Sequence, residues 1–190
     1  MRELDIVSNS FESHKSVLQD TLAKHAENLV KASEMILASL AKGGKVVLFG
    51  NGGSAADAQH IAAEFVGRFL KDRKSLPAIA LTTDTSVITA LGNDYGYEKV
   101  FERQVESLVN MNDVVIGIST SGKSENVLKG IDAARNKGAK TIALTGKGGG
   151  DLREIVDLLI DIPSNETPRI QEMHILVGHV MSNIVENSLR

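Results

Sequence analysis

The sequence predicts an α/β fold, in which a doubly wound five-stranded parallel sheet carries helices on both faces. Two observations predict it: short β-branched segments alternate with helical ones, and these short segments are apolar almost throughout. Strands buried on both faces have this continuous apolar character, and helices cover both faces of parallel sheets. The five predicted strands are residues 45–50, 77–83, 113–119, 140–146 and 158–163.

The first element of the chain is helical. From about Leu4 to Lys42, apolar residues recur at helical intervals between charged ones, and the segment stops at two consecutive glycines. The pattern fits one long amphipathic helix or two shorter ones. We predict that residues 1–42 form an N-terminal helical arm of a single domain spanning residues 1–190, a length at which one core suffices.

Further helices are predicted between the strands and after the last of them. The chain closes with a long helix from about Pro168, which suits a first helical turn because proline has no N–H to leave unpaired. Thr167 is then its predicted cap. The helices between the strands cover residues 54–70, 98–109 and 124–138, with a shorter stretch near 152–156.

Composition excludes several classes of site and partner. The chain has no cysteine, which excludes a disulfide framework, a thiol nucleophile and a cysteine-ligated zinc site. Lys and Arg number 21 against 24 Asp and Glu, without a run of like charge, so we expect no nucleic-acid partner. The chain starts with polar residues and contains no apolar run of about 18 residues. We therefore expect a cytoplasmic location and no membrane partner.

The segment GISTSGKSENV, at the third strand, has two interpretations. Gly117 to Ser124 match the G-x-x-x-x-G-K-S pattern of a nucleotide-binding P-loop, with Lys123 on the terminal phosphates. A P-loop needs its first glycine just past the strand, whereas here the apolar run continues through Gly117. The preferred interpretation is a cradle of hydroxyls at a helix start, where the helix dipole favours a phosphate. Its hydroxyls belong to Ser119, Thr120, Ser121 and Ser124.

A glycine-rich turn, FGNGGSAAD, follows the first strand. Gly52 and Gly53 would let the backbone approach a ligand closely, and Ser54 can cap the next helix in a capping-box-like pair with Asp57. The pattern differs from G-x-G-x-x-G, so it gives little support to a dinucleotide site. In parallel sheets ligands bind at the carboxyl ends of the strands, which is where this turn and the hydroxyl segment both lie.

Two predicted helices carry residues capable of metal binding or proton transfer. His60 and Glu64 are four residues apart and project from one face. Gln171 and His179 are eight apart, which returns to within about 80° of the starting direction, while His174 falls on a different side. The four aligned residues could form a tetrahedral metal site, and Glu64 and His179 could also move protons without a metal. From spacing alone, ordinary packing and capping roles for the two histidines are the more common explanation.

The sequence resembles the sugar isomerase (SIS) family in five motifs that follow in the same order: GNGGSAADAQHIAAE, GNDYG, GISTSGKSENV, LTGKGGG and TPRIQEMHILVGH. The resemblance implies the SIS fold and a homotetramer with active sites shared between subunits. It also implies an aldose–ketose isomerase, an intramolecular oxidoreductase that converts sedoheptulose 7-phosphate to D-glycero-D-manno-heptose 7-phosphate. That reaction is the first step of ADP-heptose and lipopolysaccharide core biosynthesis.

The resemblance also implies roles for individual residues. It places the substrate phosphate on Ser119, Thr120, Ser121 and Ser124. It places the rest of the substrate near Asn51, Gly52, Gly53, Ser54, Glu64, Arg68, Asn93, Asp94 and Gln171, although Arg68 can equally form a surface ion pair. One zinc ion per subunit would be held by His60, Glu64, Gln171 and His179. Glu64 would be the base that carries a proton between C1 and C2 through an enediol, and His179 the acid.

The resemblance leaves one alternative open. Some family members carry an acidic residue where this chain has Pro168, so no second carboxylate is implied there. A non-catalytic branch of the family is a tetramer that binds the replication-initiation machinery, and most of the motifs do not separate it from the enzymes. The resemblance implies that this branch lacks the equivalent of His179, which this chain keeps. We therefore expect the enzyme, with the binding scaffold as the alternative.

Overall fold

Five parallel strands form one sheet in a computed structural model that describes residues 2–189. The strands are β1 (Val46–Gly50), β2 (Ala78–Ala80), β3 (Val114–Ser119), β4 (Lys140–Thr145) and β5 (Leu158–Asp161). Their order across the sheet is β2-β1-β3-β4-β5, so the chain starts inside the sheet and winds outward in both directions. The predicted doubly wound parallel sheet is confirmed.

Within the described part of the chain, six α-helices accompany the sheet: α1 (Glu3–Ala41), α2 (Gly53–Val66), α3 (Thr85–Tyr95), α4 (Val100–Leu108), α5 (Glu125–Asn136) and α6 (Thr167–Ser188). α1 is one continuous helix, so the sequence alternative of two shorter helices is wrong. At 1.5 Å per residue it is about 58 Å long. α6 is the expected long C-terminal helix, but Glu166 rather than Thr167 is its cap. Between residues 2 and 189, no helix is long and apolar enough to cross a membrane.

α3 lies outside every helix predicted from the sequence. Its cap is Asp84, whose Oδ1 accepts a hydrogen bond from the amide of Val87 at 3.0 Å. A capping aspartate before an apolar run is the signal that could have revealed this helix. The helix ends at Gly96, whose φ of 88° an L-residue rarely adopts. As a result, Asn93 and Asp94 lie in the last turn of a helix.

Two elements end sooner than predicted. The strand predicted over 77–83 stops at Ala80, because the chain leaves this edge of the sheet after one more hydrogen bond, from the amide of Leu81 to Leu48. The helix predicted over 54–70 stops at Val66. In the last turn of this helix, the carbonyls of Glu64 and Phe65 accept hydrogen bonds from the guanidinium of Arg73 instead of from further helix amides.

The two faces of the sheet are buried in separate apolar layers. Along β1, Leu48 belongs to the layer that includes residues of α1, α2 and α6, whereas Phe49 belongs to the layer that includes residues of α4 and α5. Both side chains are fully buried. Phe49 stacks on Phe101 of α4 with ring centroids 4.9 Å apart. Burial on both faces accounts for the nearly continuous apolar character of the strands.

Asp161, the last residue of β5, ties α1 to the carboxyl end of the sheet. Its carboxylate accepts hydrogen bonds from Lys24 Nζ at 2.7 Å and from the amide of Gly148 at 3.0 Å. His25 Nε2 lies 2.8 Å from its carbonyl oxygen. Burial alone would raise the pKa of Asp161, but these hydrogen bonds and the charge of Lys24 lower it below its ordinary value. The contact anchors the helical arm beside the glycine-rich segment that follows β4.

α1, the first helix, packs along α6, the last. His14 Nδ1 lies 2.7 Å from Glu172 Oε2, and the guanidinium of Arg169 donates to the carbonyl of Ser10. This packing leaves an apolar stretch near the start of the arm uncovered. Its exposed side chains are Leu4, Ile6, Val7 and Phe11.

Candidate active site

The hydroxyl segment lies at the carboxyl end of β3. Gly117 is inside this strand, paired with Phe49 on β1 and Ala143 on β4, which confirms the argument against a P-loop. Ser119 Oγ lies 2.9 Å from Ser124 Oγ and 3.4 Å from Ser121 Oγ, so three of the predicted hydroxyls cluster. Thr120 lies between them in sequence and is half-buried.

α5 begins directly behind these hydroxyls. Ser124 is its cap, although its side chain makes no hydrogen bond to a helix amide and faces Ser119 instead. The first amides of a helix have no intrahelical acceptor, so they remain available to an anion. The Lys123 amide donates to Ser121 Oγ at 3.1 Å, and its side chain is exposed. Hydroxyls and helix amides thus converge where a phosphate monoester can accept hydrogen bonds from both.

The TGKGGG segment after β4 packs against the backbone of the hydroxyl segment. Gly122, at φ +65°, approaches so closely that an added Cβ would lie 2.0 Å from the carbonyl oxygen of Gly149. The amide of Leu152 donates to Gly122 at 3.1 Å, and that of Gly146 donates to Thr120 at 2.9 Å. The TGKGGG segment therefore positions the hydroxyl segment without adding hydroxyls to it.

Asn51, at the end of β1, joins the turn after β1 to α5. Its side-chain amide exchanges hydrogen bonds with that of Asn126, at 2.9 and 2.8 Å. The hydroxyl of Tyr97 also donates to Asn51 Oδ1 at 3.1 Å. Asn126 and Tyr97 belong to distant parts of the sequence and carry no spacing signal, so sequence reasoning missed both.

The predicted cap of α2 is wrong. Gly52, at φ +55°, is the cap, and its carbonyl accepts the amides of Ala55 and Ala56 at 3.0 and 3.2 Å. Ser54 is instead buried inside the first turn. Asp57 makes no capping box: its Oδ2 is buried without a hydrogen-bond partner among residues 2–189. Burial raises the pKa of Asp57, against the lowering effect of the charge of His60.

Three predicted metal ligands converge between α2 and α6. His60 Nε2 lies 2.9 Å from His179 Nε2 and 3.1 Å from Glu64 Oε1, and one ligand atom from each residue falls within 4.8 Å of the others. Ligands at tetrahedral zinc lie about 3.3 Å apart, given bonds of about 2.0–2.1 Å. Two imidazole nitrogens that face each other beside a carboxylate match this spacing and donor type, so the residues fit a zinc ion.

Gln171 lies apart from that trio within one chain. Its side-chain amide rests on Gly53, where an added Cβ would be 2.4 Å from Gln171 Nε2. Gln171 lies at Gly53 and His179 at His60, so both face α2, but eight helical residues separate them by about 12 Å along the axis. The ligand role of Gln171 stays a prediction.

The remaining predicted residues flank the site. Asn93 Nδ2 donates to Asp94 Oδ1 at 2.7 Å, and both side chains are exposed at the end of α3. Tyr97 follows them in the chain and its bond to Asn51 links this segment to the turn after β1. Arg68 is exposed in the loop that follows α2.

His174 is a core histidine, as its position on another side of α6 indicates. It is fully buried, and its Nε2 lies 3.1 Å from the carbonyl oxygen of Thr145. Burial lowers the pKa of His174 from 6.5 to about 4, although the hydrogen bond to Thr145 acts in the opposite direction. The imidazole is therefore neutral at neutral pH.

The buried imidazole predicts a pH dependence of stability. Between pH 6.5 and about 4 the unfolded chain protonates His174 while the folded protein does not, so stability is lost as the pH falls through this window. The loss amounts to about 3 kcal/mol at most. His174→Gln keeps a donor for Thr145 but cannot be protonated. Urea unfolding at several pH values should therefore show a smaller acid loss for the variant, and equal losses would contradict the assignment.

Several known proteins are similar to this chain over nearly its whole length. A profile of the SIS domain matches residues 10–146. The phosphoheptose isomerase of Burkholderia pseudomallei (strain 1710b) is 53% identical over 190 residues, covering 99% of this chain and 96% of that protein. The phosphoheptose isomerase of Aquifex aeolicus is 55% identical over 183 residues and 96% of each chain. The structure of phosphoheptose isomerase GmhA from Neisseria gonorrhoeae superposes with a TM-score of 0.94 at 42% identity, covering 98% of this chain and all of that one.

Proposed function

Because the chain belongs to the SIS domain family, we propose that it is an isomerase that converts sedoheptulose 7-phosphate to D-glycero-D-manno-heptose 7-phosphate. The relatives named phosphoheptose isomerase, at 53% and 55% identity over nearly the whole chain, support this substrate. The observation that carries the proposal is the convergence of His60, Glu64 and His179 within 4.8 Å. A carboxylate close to an imidazole supports the proposed pair of base and acid, which an aldose–ketose interconversion requires.

The hydroxyl segment is the proposed site of the substrate phosphate. Ser119, Thr120, Ser121 and Ser124 would donate hydroxyl hydrogen bonds, and the first amides of α5 would add the favourable end of the helix dipole. Asn51, Gly52, Gly53 and Ser54 would then lie along the sugar, with Arg68, Asn93, Asp94 and Gln171 around it. Bound at its phosphate end, the substrate would extend so that C1 and C2 approach Glu64.

The proposed chemistry moves one proton between neighbouring carbons. The Glu64 carboxylate removes a proton from C1 of the ketose, which leaves an enediol, and returns the proton to C2. His179 donates a proton to O2, the former ketone oxygen, and takes the hydroxyl proton from O1 as the aldehyde forms at C1, so one proton is gained and one lost at oxygen. Both side chains belong to rigid helices, which favours a fixed geometry at the reacting carbons.

We propose zinc as the cofactor, one ion per subunit, with His60, Glu64, Gln171 and His179 as its ligands. Bound zinc would act as a Lewis acid that polarises substrate oxygens. A carboxylate that ligates zinc is a weaker base than a free one, so Glu64 would change partners when substrate arrives. Gln171 would have to leave Gly53 to reach the metal.

We also propose a homotetramer with shared active sites. The exposed apolar stretch of the arm, with Phe11 74% and Leu4 77% exposed, supports a partner subunit at that surface. Within this proposal the chain is a single domain, residues 1–190, with residues 1–42 as the arm. The enzyme would act in the cytoplasm, without nucleic-acid or membrane partners, in the first step of lipopolysaccharide core biosynthesis.

Turnover of sedoheptulose 7-phosphate tests the proposal directly. Protein stripped with a chelator should be inactive, zinc should restore turnover, and His179→Ala should remain inactive with zinc while keeping its far-ultraviolet circular dichroism. Turnover that is indifferent to both would exclude the metal-assisted mechanism. A folded, zinc-loaded protein without turnover would instead favour the alternative, a tetramer that binds the replication-initiation machinery.

A further inference from the structure

We infer that Glu186 and Arg73 form a buried pair that positions the catalytic groups. Neither side chain is a metal ligand or an acid or base in the proposed reaction. The inference rests on the proposed isomerase function. Glu186 lies near the end of α6, and Arg73 lies in the loop between α2 and β2. The pair is connected to the site in two ways. Arg73 binds the backbone of Glu64, and Glu186 binds the backbone of Phe69, whose ring packs on His179.

The carboxylate of Glu186 gathers the loop that follows α2. The amide of Phe69 donates to Oε1 at 3.0 Å, and the amides of Leu70 and Lys71 donate to Oε2 at 2.8 Å each. The Glu186 side chain is 1% exposed, and Arg73 Nε lies 3.2 Å from Oε1. A buried carboxylate is retained at low cost only when partners satisfy both its oxygens, as they do here.

The guanidinium of Arg73 holds the end of α2. Its Nη2 donates to the carbonyl of Glu64 at 2.7 Å, and its Nη1 donates to the carbonyl of Phe65 at 2.9 Å. Carbonyls in the last turn of a helix have no intrahelical donor, and a cation there also complements the helix dipole. The backbone of Glu64 is thereby fixed in a turn that would otherwise fray.

Phe69 carries the second connection. Its ring centroid lies 5.4 Å from that of His179, with the planes tilted by 34°. Because Glu186 holds the amide of Phe69, the ring that packs on His179 depends on the carboxylate. Burial alone would raise the pKa of Glu186, but the three amides and the charge of Arg73 lower it, so the carboxylate is ionised at neutral pH.

Asp113 offers a matched control. It is also a buried carboxylate, 2% exposed, and accepts three hydrogen bonds: from the Lys45 amide at 2.9 Å, from Lys45 Nζ at 2.7 Å and from the Asn110 amide at 2.8 Å. It precedes β3, at the opposite end of the sheet from the hydroxyl segment. Losing its charge should therefore affect stability without affecting the site.

The test compares Glu186→Gln with Asp113→Asn in the full-length protein. We expect Glu186→Gln to weaken zinc binding about 10- to 100-fold, measured by competition with a chromophoric chelator, and to lower kcat to a similar extent at saturating zinc while KM stays within about twofold. Asp113→Asn should lower the melting temperature but leave zinc affinity and kcat within about twofold of native. Native zinc affinity and kcat in Glu186→Gln, or identical changes in both variants, would overturn the inference.

A second variant covers the case in which Glu186→Gln does not fold. Arg73→Lys keeps the positive charge beside Glu186 but cannot bridge the carbonyls of Glu64 and Phe65. We expect zinc affinity and kcat to fall about tenfold in this variant, and native values would overturn the inference. Zinc affinity is measured without substrate, so a native protein that binds zinc but does not turn over sedoheptulose 7-phosphate would refute the proposed function and still leave the pair testable.

Discussion

Replacing Glu64 with Gln is expected to lower kcat for sedoheptulose 7-phosphate by about 10²- to 10⁴-fold, the usual contribution of a general base. Gln has nearly the same shape, so α2 and its packing should persist. The amide cannot accept a proton from C1, whereas its oxygen can still approach the position of Glu64 Oε1, 3.1 Å from His60 Nε2. Initial rates at saturating substrate and zinc give kcat, and incorporation of deuterium at C2 in D₂O reports the proton transfer itself.

Two controls separate the base from the metal ligand. Zinc content is measured for both proteins, so that a loss of activity at equal occupancy is assigned to proton transfer. Glu27→Gln, an exposed carboxylate on α1, removes one charge without approaching the site and should behave as native protein. Near-native kcat in Glu64→Gln would show that another group carries the proton.

Gly122→Ala is expected to lower the free energy of unfolding by about 2–4 kcal/mol and to raise KM more than about tenfold. Two effects add: φ is +65°, which disfavours alanine, and the new Cβ would lie 2.0 Å from the carbonyl oxygen of Gly149. The clash must separate the TGKGGG segment from the hydroxyl segment, and the proposed phosphate site loses its support. Urea unfolding and the substrate dependence of the rate measure the two quantities.

Gly148→Ala is the matched control for this substitution. Its φ is +89°, but no heavy atom outside the neighbouring residues lies within 4 Å of an added Cβ. It should therefore show the conformational cost alone, about 1 kcal/mol, with an unchanged KM. If both variants lost stability and substrate affinity equally, the close contact between Gly122 and Gly149 would not support the cradle.

The sequence predicted the sheet well, for a physical reason. Strands buried on both faces must be apolar throughout, so all five are visible without knowledge of the fold. α3 escaped prediction because its eleven residues include no buried side chain, and the apolar periodicity that reveals a helix is weak there. The sequence favours Ser54 as a cap because serine commonly caps helices, but Gly52, a glycine at positive φ, begins α2 sooner.

The candidate site was predictable where a single element carries its residues. His60 and Glu64 are visible from their spacing on a single helix, and the hydroxyls follow one another in sequence. The pairing of Asn51 with Asn126, and the support of Glu64 by Arg73, depend on how separate elements pack. No local pattern records such contacts. Gln171 is an example: its angular spacing from His179 places both residues on one face of α6 but does not take account of their separation along the helix axis.

Because α1 packs on α6, one face of α1 stays uncovered during much of the synthesis of the chain. α1 is translated before its partner α6, and residues 42–166 are translated between them. At typical rates of translation this interval is on the order of ten seconds. Throughout it, the side of the arm that will bury Val17 and Leu29 has no α6 to cover it. The nascent chain therefore exposes this apolar surface until α6 has emerged from the ribosome, which makes it a candidate client for chaperones.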